Sequence, residues 1–146
     1  MSGARPPVRL KAPRVVVPKR GWRVALGAAS HRLGHRSEWL AAALLMCRGY
    51  QVLGFRLKTR AGEIDILARR GRTLAVVEVK RRATLDLALA ALSAKQYDRL
   101  LAAGRAVLRQ RPSLAGHLLR IDIVALAPGR LPRHRRGVEP FGRGRA

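Results

Sequence analysis

Residues 62–81 read Gly62-Glu63-Ile64-Asp65-Ile66-Leu67-Ala68-Arg69-Arg70-Gly71-Arg72-Thr73-Leu74-Ala75-Val76-Val77-Glu78-Val79-Lys80-Arg81. Two runs rich in Val, Ile and Leu, at 63–68 and 73–81, are split by Arg-Arg-Gly-Arg, which predicts two strands joined by a tight antiparallel hairpin. Side chains alternate along a strand, so Glu63 and Asp65 share one face of theirs, and Glu78 and Lys80 share one face of theirs. With Arg70-Gly71 as the turn, Arg69 faces Arg72 and Asp65 lies opposite Val76, with Glu78 as its diagonal neighbour. Diagonal β-carbons lie roughly 7–8 Å apart. Two carboxylates at that separation can share one hard cation, which takes oxygen ligands. Lys80 projects from the same face, one step along.

The flanks extend the pattern. Residues 50–57 read as a preceding strand, ended by Thr59-Arg60-Ala61-Gly62. Residues 33–48 are apolar almost all round with good helix formers, and Gly49 sits where a left-handed cap stops a helix. A helix of that kind is packed on more than one side. Residues 85–111 form a long helical stretch, with Leu85, Leu89, Leu92, Leu100, Ala103 and Val107 near one face and Pro112 at its end. Residues 118–126 alternate Ile121, Ile123 and Ala125 against Arg120 and Asp122, as a last strand does. The order helix, three strands, helix, strand is that of an α/β domain with a mixed sheet flanked by helices.

The chain has 146 residues, the size of one domain with one core. It carries 31 Lys and Arg against 8 Asp and Glu, a net charge of +23, so its natural partner is a polyanion. Apolar residues make up 48%, enough for a packed core, whereas 4% aromatics argue against a binding face of stacking rings. A single cysteine, Cys47, excludes an internal disulfide framework and any cysteine-based zinc site, and its apolar helix marks it as a small buried hydrophobe. The longest apolar runs are too short to span a bilayer, and a reduced, cytoplasmic setting is expected. Residues 1–30 hold seven Lys or Arg, four prolines and no acid; residues 128–146 repeat the theme. Both ends read as basic tails around a domain at 31–127. The amino terminus shares its Arg-rich, acid-free composition with transit peptides, but proline interrupts any amphipathic helix there.

Phosphodiester hydrolysis explains the acids. A divalent metal held by Asp65 and Glu78 would lower the pKa of its water and polarise a phosphate oxygen. Lys80 would stabilise the pentacovalent phosphate or orient the attacking water. An exposed strand carboxylate usually just pairs with a neighbouring Arg or Lys. Against that reading, Glu78 and Lys80 interrupt an apolar run, where charge is costly unless used or paired. Glu38, the sole acid of the first helix, is either a salt-bridge partner of Arg36 or His35 or a fourth site carboxylate. Asp122 is read as a structural partner of Arg120. His31, His35, His117 and His134 lack metal spacing with any cysteine, and no Gly-rich phosphate loop is present.

The stretches GHRSEWLAAALLMCRGYQVL, RAGEIDILARRGRTLAVVEVKRR, AKQYDRLLAAGRAVL and LRIDIVAL together resemble the YraN-like family of small bacterial proteins. That family sits in the PD-(D/E)XK nuclease superfamily, beside archaeal Holliday-junction resolvases and restriction endonucleases. The resemblance covers residues 31–127, and Gly-Glu-Ile-Asp followed by Val-Glu-Val-Lys is its most specific part. It implies a restriction endonuclease-like αβββαβ core and a Mg²⁺-dependent site on Asp65, Glu78 and Lys80, with Glu38 as a further acid and Mn²⁺ able to substitute. Ile64 stands where the superfamily has proline, and Phe55-Arg56 where Arg-Asn is common. Lys95 and Gln96 match a helix position that supports such sites. With Arg56, Lys58, Arg60, Arg81 and Arg82 they are the expected nucleic-acid contacts. The expected activity is metal-dependent cleavage of DNA, including branched or recombining structures, and resolvases suggest a homodimer. The alternative is a non-catalytic RNA- or ribosome-associated binding protein.

Overall fold

The structure is a computed structural model that describes residues 36–140. The expected 1–30 tail, His31, His35 and residues 141–146 lie outside the described residues. The chain forms α1 (Arg36–Cys47), β1 (Gln51–Thr59), β2 (Gly62–Arg70), β3 (Thr73–Arg81), α2 (Leu85–Leu89), α3 (Ala94–Gln110), a 3₁₀ turn (Pro112–Leu114), β4 (Leu118–Leu126) and β5 (Arg133–Arg135). The strands make one mixed sheet in the order β1-β2-β3-β4-β5. Only β3 and β4 are parallel, joined through α2 and α3; the other neighbours are antiparallel. This is the expected α/β architecture with a restriction endonuclease-like core.

Each face of the sheet buries its own core. Leu74, Val76, Ile121 and Ile123 pack under Leu100, Ala103 and Val107 of α3. On the other face, Ile66, Ala75, Val77 and Val124 meet Ala41, Ala42 and Leu45 of α1. A central strand covered on both sides must be apolar at successive positions, which is why 74–77 lacks polar alternation. Gly49, at φ +84°, ends α1 as expected. Cys47 is exposed rather than buried, since α1 turns Ala41, Ala42 and Leu45 to the core and not Cys47.

Four expectations need correction or extension. The helical stretch at 85–111 is two helices. Thr84 accepts a hydrogen bond from the Leu87 N–H, and Ser93 starts α3 through a capping box with Gln96. The Ser-Ala-Lys-Gln sequence carried that signal. Secondly, the hairpin loop is Gly71-Arg72, with Arg70 paired to Thr73, not Arg69 to Arg72. A two-residue loop with positive φ at its first position wants glycine there, and Gly71 has φ +57°. The register therefore shifts by two, which preserves the faces. Continued one step beyond the last pair, Ile66–Val77, this register sets Asp65 level with Glu78 instead of Val76. Thirdly, the sheet continues past 127: β5 pairs with β4, and His134 and Val138 are buried. Part of the expected basic tail belongs to the domain. Finally, Asp122 binds more than Arg120, as described below.

Gly104 sets how closely α3 approaches the sheet. A β-carbon there would fall 2.6 Å from Leu119 Cδ1 and 2.9 Å from Val76 Cγ2. Gly104→Ala is therefore expected to cost about 1–3 kcal/mol despite the better helix propensity of alanine, read as a lower urea midpoint.

Candidate active site

The site lies where β2 changes faces. Paired residues of β2 and β3 end at Ile66–Val77. Ile66 packs under α1, whereas Ile64, two residues earlier, packs in the core under α3. A regular strand would keep both on one face, so β2 turns over at Asp65. β1 does the same, since Phe55 pairs with Ile66 and Leu57 with Ile64. Between them, opposite Asp65, stands Arg56 at φ +46°, the sole non-glycine with positive φ among the described residues. Left-handed backbone is unfavourable for arginine, and such strain gathers at functional sites.

The turnover frees the Asp65 carboxylate from the regular strand pattern. Its Oδ2 accepts a hydrogen bond of 2.8 Å from the Val79 N–H, filling the place where a ladder acceptor of β2 is missing. Glu78, the residue before Val79, flanks it, and its carboxylate acts on that of Asp65. Lys80 is buried, and its Nζ lies 3.0 Å from Glu78 Oε1. Glu38 comes from α1, which is seated on β1 by the tilted Trp39–Phe55 pair at 5.0 Å. Its Oε1 receives Arg56 Nη2 at 3.2 Å, so this partner is neither of the neighbours expected from sequence.

The electrostatics agree with this crowding. Burial, then the Glu78 carboxylate, pushes Asp65 up from 3.8 to about 7, with a smaller push from Glu38 and opposition from the Val79 hydrogen bond. Three carboxylates thus act on one another, and the Lys80 ammonium is paired with Glu78. Among the described residues, no set of three His, Cys, Asp or Glu is gathered to hold a metal ion. A pair of carboxylates nevertheless suits Mg²⁺, which is commonly held by one or two, with water and substrate oxygens completing the shell. Asp65 and Glu78 fit that requirement.

The expected contact residues divide. Lys58, Arg60, Arg81 and Arg82 are exposed at the same end of the sheet, around the β1–β2 turn and the end of β3. That turn is held by Thr59 Oγ1, which accepts from the Ala61 and Gly62 N–H groups. Lys95 is exposed on the first turn of α3 and forms no hydrogen bond or ion pair with Asp65, Glu78 or Lys80. Gln96 uses its carbonyl oxygen to accept the Ser93 N–H at 3.2 Å. Glu63 is exposed, paired across the ladder with Lys58.

Sequence reasoning missed most of a second charged cluster. Asp122 is fully buried and accepts two hydrogen bonds of 2.7 Å from Arg120. It also accepts one of 2.8 Å from His134 Nε2–H and one of 3.0 Å from the Gly137 N–H. The only available signal was His134 lying between two arginines in a three-residue strand, too short for a pattern to register.

The strain at Arg56 has a direct test. Arg56→Val is expected to lower the melting temperature more than Arg56→Gly does, although valine is the better strand former. A β-branched residue at positive φ adds about 1–2 kcal/mol that glycine escapes. Equal melting temperatures would show that the backbone relaxes.

The family described as "Uncharacterised protein family UPF0102" matches residues 37–126. A UPF0102 protein of Caulobacter vibrioides is 49% identical over 114 residues, covering 78% of this chain and 91% of the relative. One from Parvibaculum lavamentivorans is 51% identical over 110 residues, covering 75% and 83%. Another, from Methylorubrum extorquens, is 49% identical over 106 residues, covering 73% and 83%. The match spans α1 through β4, the elements that carry Glu38, Asp65, Glu78 and Lys80. With that coverage and identity, the chain belongs to the UPF0102 (YraN-like) family of the PD-(D/E)XK nuclease superfamily.

Proposed function

We propose that this protein is a divalent-metal-dependent endonuclease that hydrolyses phosphodiester bonds in DNA. The observation that carries the reading is the meeting of Asp65, Glu78 and buried Lys80 at one sheet end, in a chain of net charge +23. Carboxylates at that spot would repel a phosphate unless a cation lay between. A Mg²⁺ ion held by Asp65 and Glu78 would supply Lewis acidity and a bound water of lowered pKa. Lys80, fixed at 3.0 Å from Glu78, would give its ammonium to the charge that develops on the attacked phosphate. The Val79 hydrogen bond fixes the Asp65 carboxylate, so its position needs no reorganisation when substrate arrives. Glu38 adds negative charge that favours a cation, and Arg56, Lys58, Arg60, Arg81 and Arg82 would receive the flanking phosphates.

The decisive experiment incubates purified protein with labelled single-stranded, duplex, flap and four-way-junction DNA, in Mg²⁺, Mn²⁺ or EDTA. Cleavage with metal and none with EDTA is the expected result, and the junction and flap lanes give the preferred structure. Tight binding of every DNA with no cleavage in either metal would overturn the proposal. The protein would then be a binding module, with RNA as the next ligand.

A further inference from the structure

The sheet end opposite Asp65 and Glu78 carries its own set of cations. Arg69, Arg70 and Arg72 surround the Gly71-Arg72 turn, and Arg48 lies beside them at the end of α1. Two of these guanidiniums are held in place, and both by neutral groups. Arg69 Nη2 donates to Gln51 Oε1 at 2.6 Å. Arg70 Nη1 donates to the Arg48 carbonyl at 3.0 Å, and its guanidinium lies 4.9 Å from the centre of the Tyr50 ring. Among the described residues, no carboxylate lies within ion-pair distance of Arg48, Arg69, Arg70 or Arg72.

Helix capping accounts for one of the four. Arg70 satisfies a terminal carbonyl of α1, where a cation is favoured. Arg69 and Arg72 have no such duty, and four like charges around one turn repel one another. Neutral acceptors direct a guanidinium without cancelling its charge, which suits a surface that waits for anions.

We propose that this sheet end is a second contact for the phosphate backbone of duplex DNA, a reading that rests on the nuclease assignment and extends it. The spacing matches a duplex. Thr73 to Glu78 is five steps of extended strand, roughly 17 Å, and one DNA strand advances 3.4 Å per nucleotide. Because helices cover both faces of β3, the duplex would run past the β1 edge, parallel to the strands, and meet these arginines about five base pairs from the bond placed at Asp65 and Glu78. The site then acts on DNA gripped at two points, and the grip sets its minimum length.

The test compares the full-length protein with an Arg69→Gln/Arg72→Gln double variant, which leaves the Arg70 cap intact. The control is Arg105→Gln/Arg109→Gln, which removes the same charge from the exposed side of α3. Affinity for a 20-base-pair duplex is measured in EDTA between 50 and 200 mM salt, alongside melting temperature. Each lost phosphate contact removes about 0.9 from the slope of log K against log salt. The turn variant is expected to lose about 2 in slope and at least tenfold in low-salt affinity, with an unchanged melting temperature. An unchanged slope, or an equal loss in the α3 control, would overturn the proposal. Because the readout is binding without metal, the outcomes separate: a flattened slope with no cleavage in Mg²⁺ would sink the nuclease reading alone. Metal-dependent cleavage with an unchanged slope would sink this contact alone.

Discussion

Asp65→Asn and Glu78→Gln are each expected to reduce metal-dependent DNA cleavage by at least about 100-fold, with DNA affinity in EDTA equal to the wild type or higher. Both substitutions are nearly isosteric. The amide of Asp65→Asn would retain an oxygen able to accept the Val79 N–H that Asp65 now binds at 2.8 Å, so β2 and β3 should stay joined. What each variant loses is a negative charge. Loss of charge weakens the hold on a divalent cation and lessens repulsion of phosphate, which separates catalysis from binding. Markedly weaker binding in EDTA would show instead that the carboxylates organise the surface that DNA touches.

Asp65→Asn also has a signature without metal or DNA. The Asp65 pKa is raised to about 7, so the folded state holds a proton that the unfolded chain releases near 4. The metal-free fold accordingly loses stability as pH rises from about 4 to 7. Asp65→Asn should remove that loss, visible as a flatter melting temperature across this range.

Asp122→Ala is expected to be the most destabilising single change, costing about 3–5 kcal/mol. The melting temperature should fall by roughly 10–20 °C. The carboxylate gathers Arg120, His134 and the Gly137 N–H, and thereby fastens β5 and its following turn to β4. Alanine would leave a partly buried guanidinium and a buried imidazole without their acceptor. Burial by itself would raise the Asp122 pKa. The hydrogen bonds from His134, Arg120 and Gly137 overcome it and hold the group at about 2. A carboxylate held below its unfolded value adds stability that is complete above about pH 4 and is lost as pH falls towards 2. Wild type should therefore lose more stability than Asp122→Asn on going from pH 4 to pH 2. A cost below about 1 kcal/mol for the alanine variant would mean that β5 detaches readily.

Much of this molecule was readable one residue at a time. Strand alternation put Glu78 and Lys80 together, and the Val- and Leu-rich run at 73–81 announced the strand that carries them. The hairpin brought Asp65 near them even with the wrong loop, because a shift of two residues keeps side chains on their faces as far as Ile66, while the turnover at Asp65 itself set the final direction of its carboxylate. Gly49 and Pro112 marked helix ends through backbone rules that act locally. The break at Ser93 was equally local and equally visible, in the capping pair with Gln96.

Long-range contacts decided the remainder. The turnover of β1 and β2 at Arg56 and Asp65 arises because Ile64 and Ile66 must enter cores on opposite sides of the sheet. No periodicity encodes a switch of faces within two residues. Glu38 met Arg56, 18 residues away, and Asp122 met His134, 12 residues away, through the docking of α1 and the addition of β5. Alternation, caps and charge belong to neighbouring residues, so the sequence alone determined the elements from α1 to β4, their order and the acids worth watching, but not β5. Which carboxylate became a crowded acid and which a structural anchor depended on the groups that packing brought alongside, since burial and partner charge act through space.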